Sequence, residues 1–182
     1  MPSIPHAPLA FVAAIHLIGA IPALAQEPAV KPAPIERIAL TDAQWRKILS
    51  GPAYQVLRRG ATEAAFANRY WRTHETGTYH CAGCALPLYA SSTKFDSGTG
   101  WPSFWQPLAK SAVVEVRDAD GERIEVRCAR CDGHLGHVFD DADGNYEIPR
   151  TPTGRRYCMN SAALRLIKKG EASPKPPAHG EP

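Results

Sequence analysis

The chain has 182 residues, 44% of them hydrophobic, and a formal net charge of +3. These values describe one ordinary globular domain with extra segments at its ends. The charge is small and no long basic run is present, so nucleic acid is not an expected partner and the positive residues read as a solvated surface.

Leu9 to Ile21 is an apolar run interrupted by His16, and Ala23-Leu24-Ala25 follows it. The run is short for a membrane span. Small residues spaced in this way mark a cleavage site, so residues 1–25 read as a signal peptide with Gln26 as the first mature residue. The segment before the run departs from the usual pattern in having no Lys or Arg. Export, to a periplasm, is the expectation, with no stable membrane span after processing. Residues 26–37 are rich in Pro and Ala and read as a flexible linker. Residues 170–182 contain Pro174, Pro176, Pro177 and Pro182 and read as a disordered tail. The folded domain is expected over 38–169. A chain of that size buries roughly two-thirds of its unfolded surface and needs no disulfide for stability.

Thr41 and Gln44 have capping-box spacing, and Leu40 can staple against Trp45. A helix is predicted from there to about Ser50-Gly51-Pro52, and a second from Ala53 to Arg59, stopped by Gly60. A third helical turn is expected from Thr62, with Ala64, Ala65 and Phe66 as its apolar side. None of these helices is assigned chemistry. Beyond Gly77 the pattern turns to strands. Leu86 to Tyr89, Ala112 to Val116, Arg123 to Arg127, His137 to Phe139 and Arg156 to Met159 are candidates. Asp118-Ala119-Asp120-Gly121 is a hairpin signal between two of them. Ser161 to Lys168 closes the domain as a short helix or strand. The fold class is mainly β behind a helical N-terminal segment.

Five cysteines are present. Four form two Cys-x-x-Cys knuckles, Cys81/Cys84 and Cys128/Cys131. Each knuckle presents two thiolates at the bite a tetrahedral zinc needs, so the four read as one structural zinc site with no open coordination position. Two disulfides, or redox-active pairs, are the other reading, and export makes disulfides a serious one. Neither pair sits in a thioredoxin-like βαβ pattern. Cys158 is left over. Flanked by Arg155 and Arg156, it is a candidate nucleophile, since positive charge favours the thiolate. A buried free cysteine acting as a small hydrophobe is the alternative.

Two further stretches stand out. In Lys94 to Phe104, glycines flank Thr99 and precede Trp101, so the backbone can approach a partner closely; by itself this stretch reads as a core aromatic loop. Gly133 to Asp141 contains His134 and His137. With four cysteines filling a zinc shell, both histidines are free for acid–base work, and Asp141 is available to orient or charge one of them.

Together, Thr78 to Cys84, Lys94 to Phe104, Cys128 to Cys131, Gly133 to Phe139 and Arg156 to Ser161 resemble the B-type methionine sulfoxide reductases. The resemblance runs from about Leu40 to Leu166. It implies two antiparallel sheets with short N-terminal helices and a structural zinc at Cys81, Cys84, Cys128 and Cys131, remote from the active site. It implies thiol-dependent reduction of methionine-R-sulfoxide, peptide-bound or free, through a Cys158 sulfenic acid, which repairs oxidised proteins under oxidative stress. Cys158 matches the nucleophile. Trp101 matches the wall that holds the substrate methyl group, and Phe139 is placed with it in substrate binding. His134, His137 and Asp141 match the polar cluster that positions and protonates the sulfoxide oxygen. Asn160 and Arg156 match residues close to the nucleophile.

The chain departs from many relatives at Thr99, where they carry a resolving cysteine. No sixth cysteine exists, so the sulfenic acid is expected to be reduced by an external thiol, small or thioredoxin-like. A monomer is expected. Two readings from other classes compete: a zinc-ribbon-like protein-binding module, and a thiol–disulfide oxidoreductase that uses a Cys-x-x-Cys pair.

Overall fold

Thr41 opens helix α1 (Asp42–Ile48) by reciprocal capping. Its backbone N–H donates to Gln44 Oε1 at 2.8 Å, and its Oγ1 accepts the Gln44 N–H at 3.3 Å. Ser50 caps α2 (Gly51–Arg59), and Gly60, at φ +68°, ends it in the left-handed region. Both helices form where their capping residues predict. α1 buries Trp45, and α2 buries Ala53, Tyr54, Val56 and Leu57. The computed structural model describes residues 34–119 and 121–177. The predicted signal peptide, most of the linker and the last five residues of the tail lie outside the described residues. Ile35, within the stretch read as linker, packs against the core.

The third helical turn does not form. Residues 61–64 are irregular, and turns follow from 65. The Glu63 N–H donates to Asn160 Oδ1 at 2.9 Å, and the Phe66 N–H donates to the Gly100 carbonyl at 2.9 Å. Tertiary partners take the donors that a helix would have turned onto its own carbonyls. Phe66 has φ +61° and is exposed, so no apolar helical face exists here.

The rest is two antiparallel sheets. One orders β2 (Pro87–Ala90), β1 (Gly77–Cys81) and β9 (Leu164–Lys168). The other orders β3 (Lys94–Phe95), β4 (Ser103–Phe104), β8 (Arg156–Met159), β7 (His134–Phe139), β6 (Ile124–Cys128) and β5 (Val113–Arg117). The ambiguous segment at 161–168 is a 3-10 turn over Ser161–Ala163 that runs into β9.

Aromatic rings join the sheets. Phe104 of the larger sheet meets Tyr79 edge-on at 5.0 Å and stacks on Tyr89 at 4.4 Å, both rings coming from the smaller sheet. All three side chains are fully buried. Such pairs contribute about 0.5–1.5 kcal/mol each beyond the area they bury.

Two local features set the register of β7. A Cβ on Gly136 would fall 2.1 Å from the Cys158 carbonyl oxygen, so β7 and β8 approach as they do only with glycine there. A bulge between Val126 and Arg127 pairs Arg127 with His134 but Val126 with Gly136. That extra residue in β7 puts His134 and His137 on one face, although an odd spacing in a regular strand would place them on opposite faces.

Candidate active site

The pairing of four strands assembles the site. Ser103 on β4 lies opposite Cys158 on β8, Cys158 opposite His137 on β7, and His137 opposite Glu125 on β6. Directly opposed residues share a face, with Cβ atoms about 4.5–5.5 Å apart. A hydroxyl, a thiol, an imidazole and a carboxylate therefore stand in one row across the sheet. Cys158 is partly exposed between the buried Tyr157 and Met159. It opens into a cleft of roughly 140 Å³, also lined by Thr62, Trp101, Arg123, His137, Phe139 and Asn160. The cleft admits one side chain rather than a folded surface.

Of the residues singled out in the sequence, Cys158, Trp101, His137, Phe139 and Asn160 line this cleft. His134, Asp141 and Arg156 stand behind it. Arg156 is buried and lies opposite Phe139, and its guanidinium stacks on that ring at 4.3 Å. Asp141, two residues beyond Phe139, therefore meets Arg156: Arg156 Nε donates to Asp141 Oδ1 at 3.0 Å, and a second bond joins Nη2 to Oδ2. The expectation that Asp141 orients a histidine is corrected on this geometry. The carboxylates beside the rings are Glu125, whose Oε1 lies 2.7 Å from His134 Nδ1, and Asp118, whose Oδ2 lies 3.1 Å from His137 Nε2.

The expectation that two arginines favour a Cys158 thiolate also changes. Arg155 and Arg156 are adjacent in sequence and point to opposite faces. Arg155 pairs with Glu115 at 2.8 Å and Asp140 at 3.1 Å, away from the thiol. Burial pushes the Cys158 thiol up. The charge of Arg156 and hydrogen bonds from Thr99, Ser103 and Arg156 pull it down without cancelling the burial. His137 is shifted the other way: desolvation, then the charge of Arg123, lower it, and the nearby Asp118 carboxylate offsets only part. Both groups are thus held toward their neutral forms.

Trp101 and Asn160 are fixed by a residue that the sequence reading passed over. The Glu63 carbonyl accepts the Trp101 indole N–H at 3.0 Å, the Glu63 N–H donates to Asn160, and the Glu63 carboxylate accepts the Ala162 N–H at 3.0 Å. Glu125 and Asp118 were missed for a different reason. Arg123, just before β6, and Glu125 and Arg127 on it alternate as a charged face, which reads as solvent-facing. The two histidines lie on that same face and were the available signal.

The four knuckle cysteines converge. Their Sγ atoms all lie within 4.8 Å of one another and all four side chains are buried. Cys81 and Cys131 are 3.7 Å apart, and Cys84 and Cys128 are 3.4 Å apart, so the two knuckles meet sulfur to sulfur. Zinc–sulfur bonds of about 2.3 Å in a tetrahedron place sulfurs about 3.8 Å apart. The cluster fits a metal ion, and it ties β1 of one sheet to β6 of the other.

The SelR domain family matches residues 49–168. The peptide methionine sulfoxide reductase MsrB of Thioalkalivibrio sulfidiphilus is 53% identical over 127 residues, 69% of this chain and 88% of that protein. The peptide methionine sulfoxide reductase MsrB of Bradyrhizobium diazoefficiens is 51% identical over 136 residues, 74% of this chain and 93% of that one. The chloroplastic peptide methionine sulfoxide reductase B1 of Oryza sativa is 51% identical over 132 residues, 71% of this chain; the match spans 58% of that longer protein.

The environment of Cys158 sets its pH dependence. A thiol raised by burial is protonated at neutral pH, and its thiolate fraction grows only as pH climbs through the raised value. Alkylation of Cys158 by iodoacetamide, followed by mass spectrometry of its peptide, should accelerate with a midpoint above the ordinary thiol value of about 8.5. A midpoint below that value would mean that Arg156 outweighs burial.

Proposed function

The chain belongs to the SelR-domain family of B-type methionine sulfoxide reductases, and from that membership and the row across the sheet we propose that it reduces methionine-R-sulfoxide, free or in oxidised proteins, to methionine. The observation that carries this reading is the cross-strand pairing of Cys158 with His137 at the floor of a cleft walled by Trp101. A binding module has no use for a partly exposed thiol opposed to an imidazole, and family membership also favours the enzyme.

The residues support the following chemistry. The sulfoxide methyl group lies against Trp101, whose indole is held by Glu63. The Cys158 sulfur attacks the substrate sulfur, and the sulfur–sulfur bond so formed breaks again as the sulfoxide oxygen passes from the substrate to Cys158. The oxygen is a poor leaving group until it is protonated, and the thiol brings the proton it needs. His137, opposite Cys158 in the strand pair and lining the same cleft, takes the thiol proton and passes it to oxygen. The products are methionine, reduced by two electrons, and the Cys158 sulfenic acid, oxidised by two.

Reset requires a second thiol. Cys128 lies three residues along β6 from Glu125, and Glu125 is two strands from Cys158. Strand rise and spacing put the Cα atoms of Cys128 and Cys158 about 14 Å apart, while a disulfide spans at most about 7 Å. An external thiol of the small or thioredoxin-like class therefore condenses with the sulfenic acid and releases water, and a second thiol frees Cys158.

Incubation with resolved epimers of a methionine sulfoxide peptide and dithiothreitol tests the reading. The R epimer should be reduced and the S epimer left intact, and Cys158→Ser should lower turnover on the order of a thousandfold or more. Without reductant, one oxygen should appear on Cys158. Equal use of both epimers, or of neither, would refute it.

The cysteine cluster is proposed to hold one zinc ion. Four thiolates would fill its coordination shell, so the ion supplies folding free energy rather than a catalytic step. Elemental analysis should find one zinc per chain, and Cys84→Ser should lower the melting temperature without a selective loss of substrate affinity. A folded, metal-free protein at full stability would overturn this.

Export is proposed on the apolar run and Ala23-Leu24-Ala25. Among the described residues, no helix is long and apolar enough to cross a membrane. N-terminal sequencing of protein from a periplasmic extract should begin at Gln26; an intact leader on that protein would contradict cleavage.

A further inference from the structure

Two carboxylates back the two histidines, and neither has a part in the proton transfer described above. Glu125 belongs to the same cross-sheet row as His137 and Cys158, and the bulge in β7 brings His134 back over it. His134 Nδ1 lies 2.7 Å from Glu125 Oε1, with side chains only 8% and 14% exposed. Arg127 holds the same carboxylate at 2.6 Å. Burial works against the charge on Glu125, but hydrogen bonds from Arg127 and His134 outweigh it and keep its carboxyl below the ordinary range. An ionised carboxylate only accepts hydrogen bonds, so the ring nitrogen facing it must carry the hydrogen. His134 is then the Nδ1–H form, and its Nε2 is a bare acceptor. That Nε2 is buried and has no protein partner.

His137 shows the opposite arrangement. Asp118 Oδ2 receives Arg123 at 2.9 Å and lies 3.1 Å from His137 Nε2. A carboxylate paired with a guanidinium again only accepts, so Nε2 carries the hydrogen and Nδ1 is bare. The rings meet edge-on, 5.4 Å apart, in opposite tautomers.

We propose that Glu125 and Asp118 are positioning residues that lock His134 as the Nδ1–H form and His137 as the Nε2–H form, which leaves Nδ1 as the one free acceptor on a ring that stands opposite Cys158 in the strand pair. The inference rests on the reductase reading for its kinetic consequence, but the tautomers are a property of the resting protein. When Nδ1 takes the thiol proton, Asp118 faces the resulting imidazolium and stabilises it, while the charge of Arg123 disfavours it. A free imidazole would divide between two tautomers, and the wrong one has no acceptor to offer.

Long-range proton–nitrogen correlation spectra of nitrogen-15-labelled protein, recorded without substrate above neutral pH, read the tautomers directly. His134 should appear as Nδ1–H and His137 as Nε2–H. Glu125→Gln and Asp118→Asn keep the shape but can donate as well as accept, so each should release the tautomer of its own histidine. Each should also lower kcat by roughly a hundredfold, with KM for the R-sulfoxide peptide little changed. A purely structural role would leave the ring signals in place. Wild-type rings in the reverse tautomers, or folded variants with wild-type kcat, would overturn the proposal. Should either variant fail to fold, the wild-type spectrum still decides. The expected tautomers in a protein that leaves the R epimer untouched would sink the reductase reading and not the lock.

Discussion

Strand register is the constraint on which the site depends. Side chains alternate with a period of two, so a one-residue slip of β8 against β7 would turn Cys158 from the cleft to the opposite face. It would also carry Arg156 away from Phe139 and Asp141. The register is pinned sterically, because Gly136 lets β7 come so close to β8 that any side chain would collide with the Cys158 carbonyl. It is pinned again by Asn160, whose backbone N–H donates to the Leu135 carbonyl at 2.8 Å and whose side-chain amide donates there at 3.2 Å. The row of Ser103, Cys158, His137 and Glu125 thus needs no dedicated loop; it follows from which residues face one another across three strand pairs.

β6 links this row to the rest of the domain. Arg123, just before it, lines the cleft; Glu125 stands in the row; Cys128, at its end, enters the cysteine cluster. One short strand is therefore held at one end by the hairpin with β5 and at the other by a knot that also grips β1. α2 closes over that knot: a Cβ on Gly83 or on Gly133 would fall 3.3 Å or 2.9 Å from a methyl of Leu57, and Arg58 donates to the Cys131 carbonyl at 2.8 Å. The cluster and the row are thus joined through one strand, so the position of Glu125 depends on elements held at both ends of β6.

Much of this was legible in the sequence because it is local. The capping box, the stop at Gly60, the β5–β6 hairpin and the spacing within each knuckle are properties of a few consecutive residues. What was not legible depends on contacts distant in sequence. Glu63 has no motif, yet it holds Trp101, 38 residues away, and Asn160, 97 residues away. The choice of Asp141 as the partner of a histidine followed nearness in sequence, whereas the bulge and the hairpin bring Glu125 and Asp118 instead. The arginines beside Cys158 could have been separated by alternation alone, since neighbours in a strand cannot both face the same thiol.

Thr99 shows how the site differs chemically from one built around two thiols. Its Oγ1 lies 4.0 Å from the Cys158 sulfur, and Ser97 links it at 2.8 Å to a chain that continues, again at 2.8 Å, to the fully buried Ser103. Ser103 donates in turn to the Trp101 carbonyl at 3.2 Å. Each hydroxyl both donates and accepts, so the chain can turn its protons toward a thiolate or away from a protonated sulfur group. It cannot take up the oxidising equivalents that a thiol would absorb. Protonation of Cys158 is therefore adjustable from this side of the cleft, while its oxidation state is not.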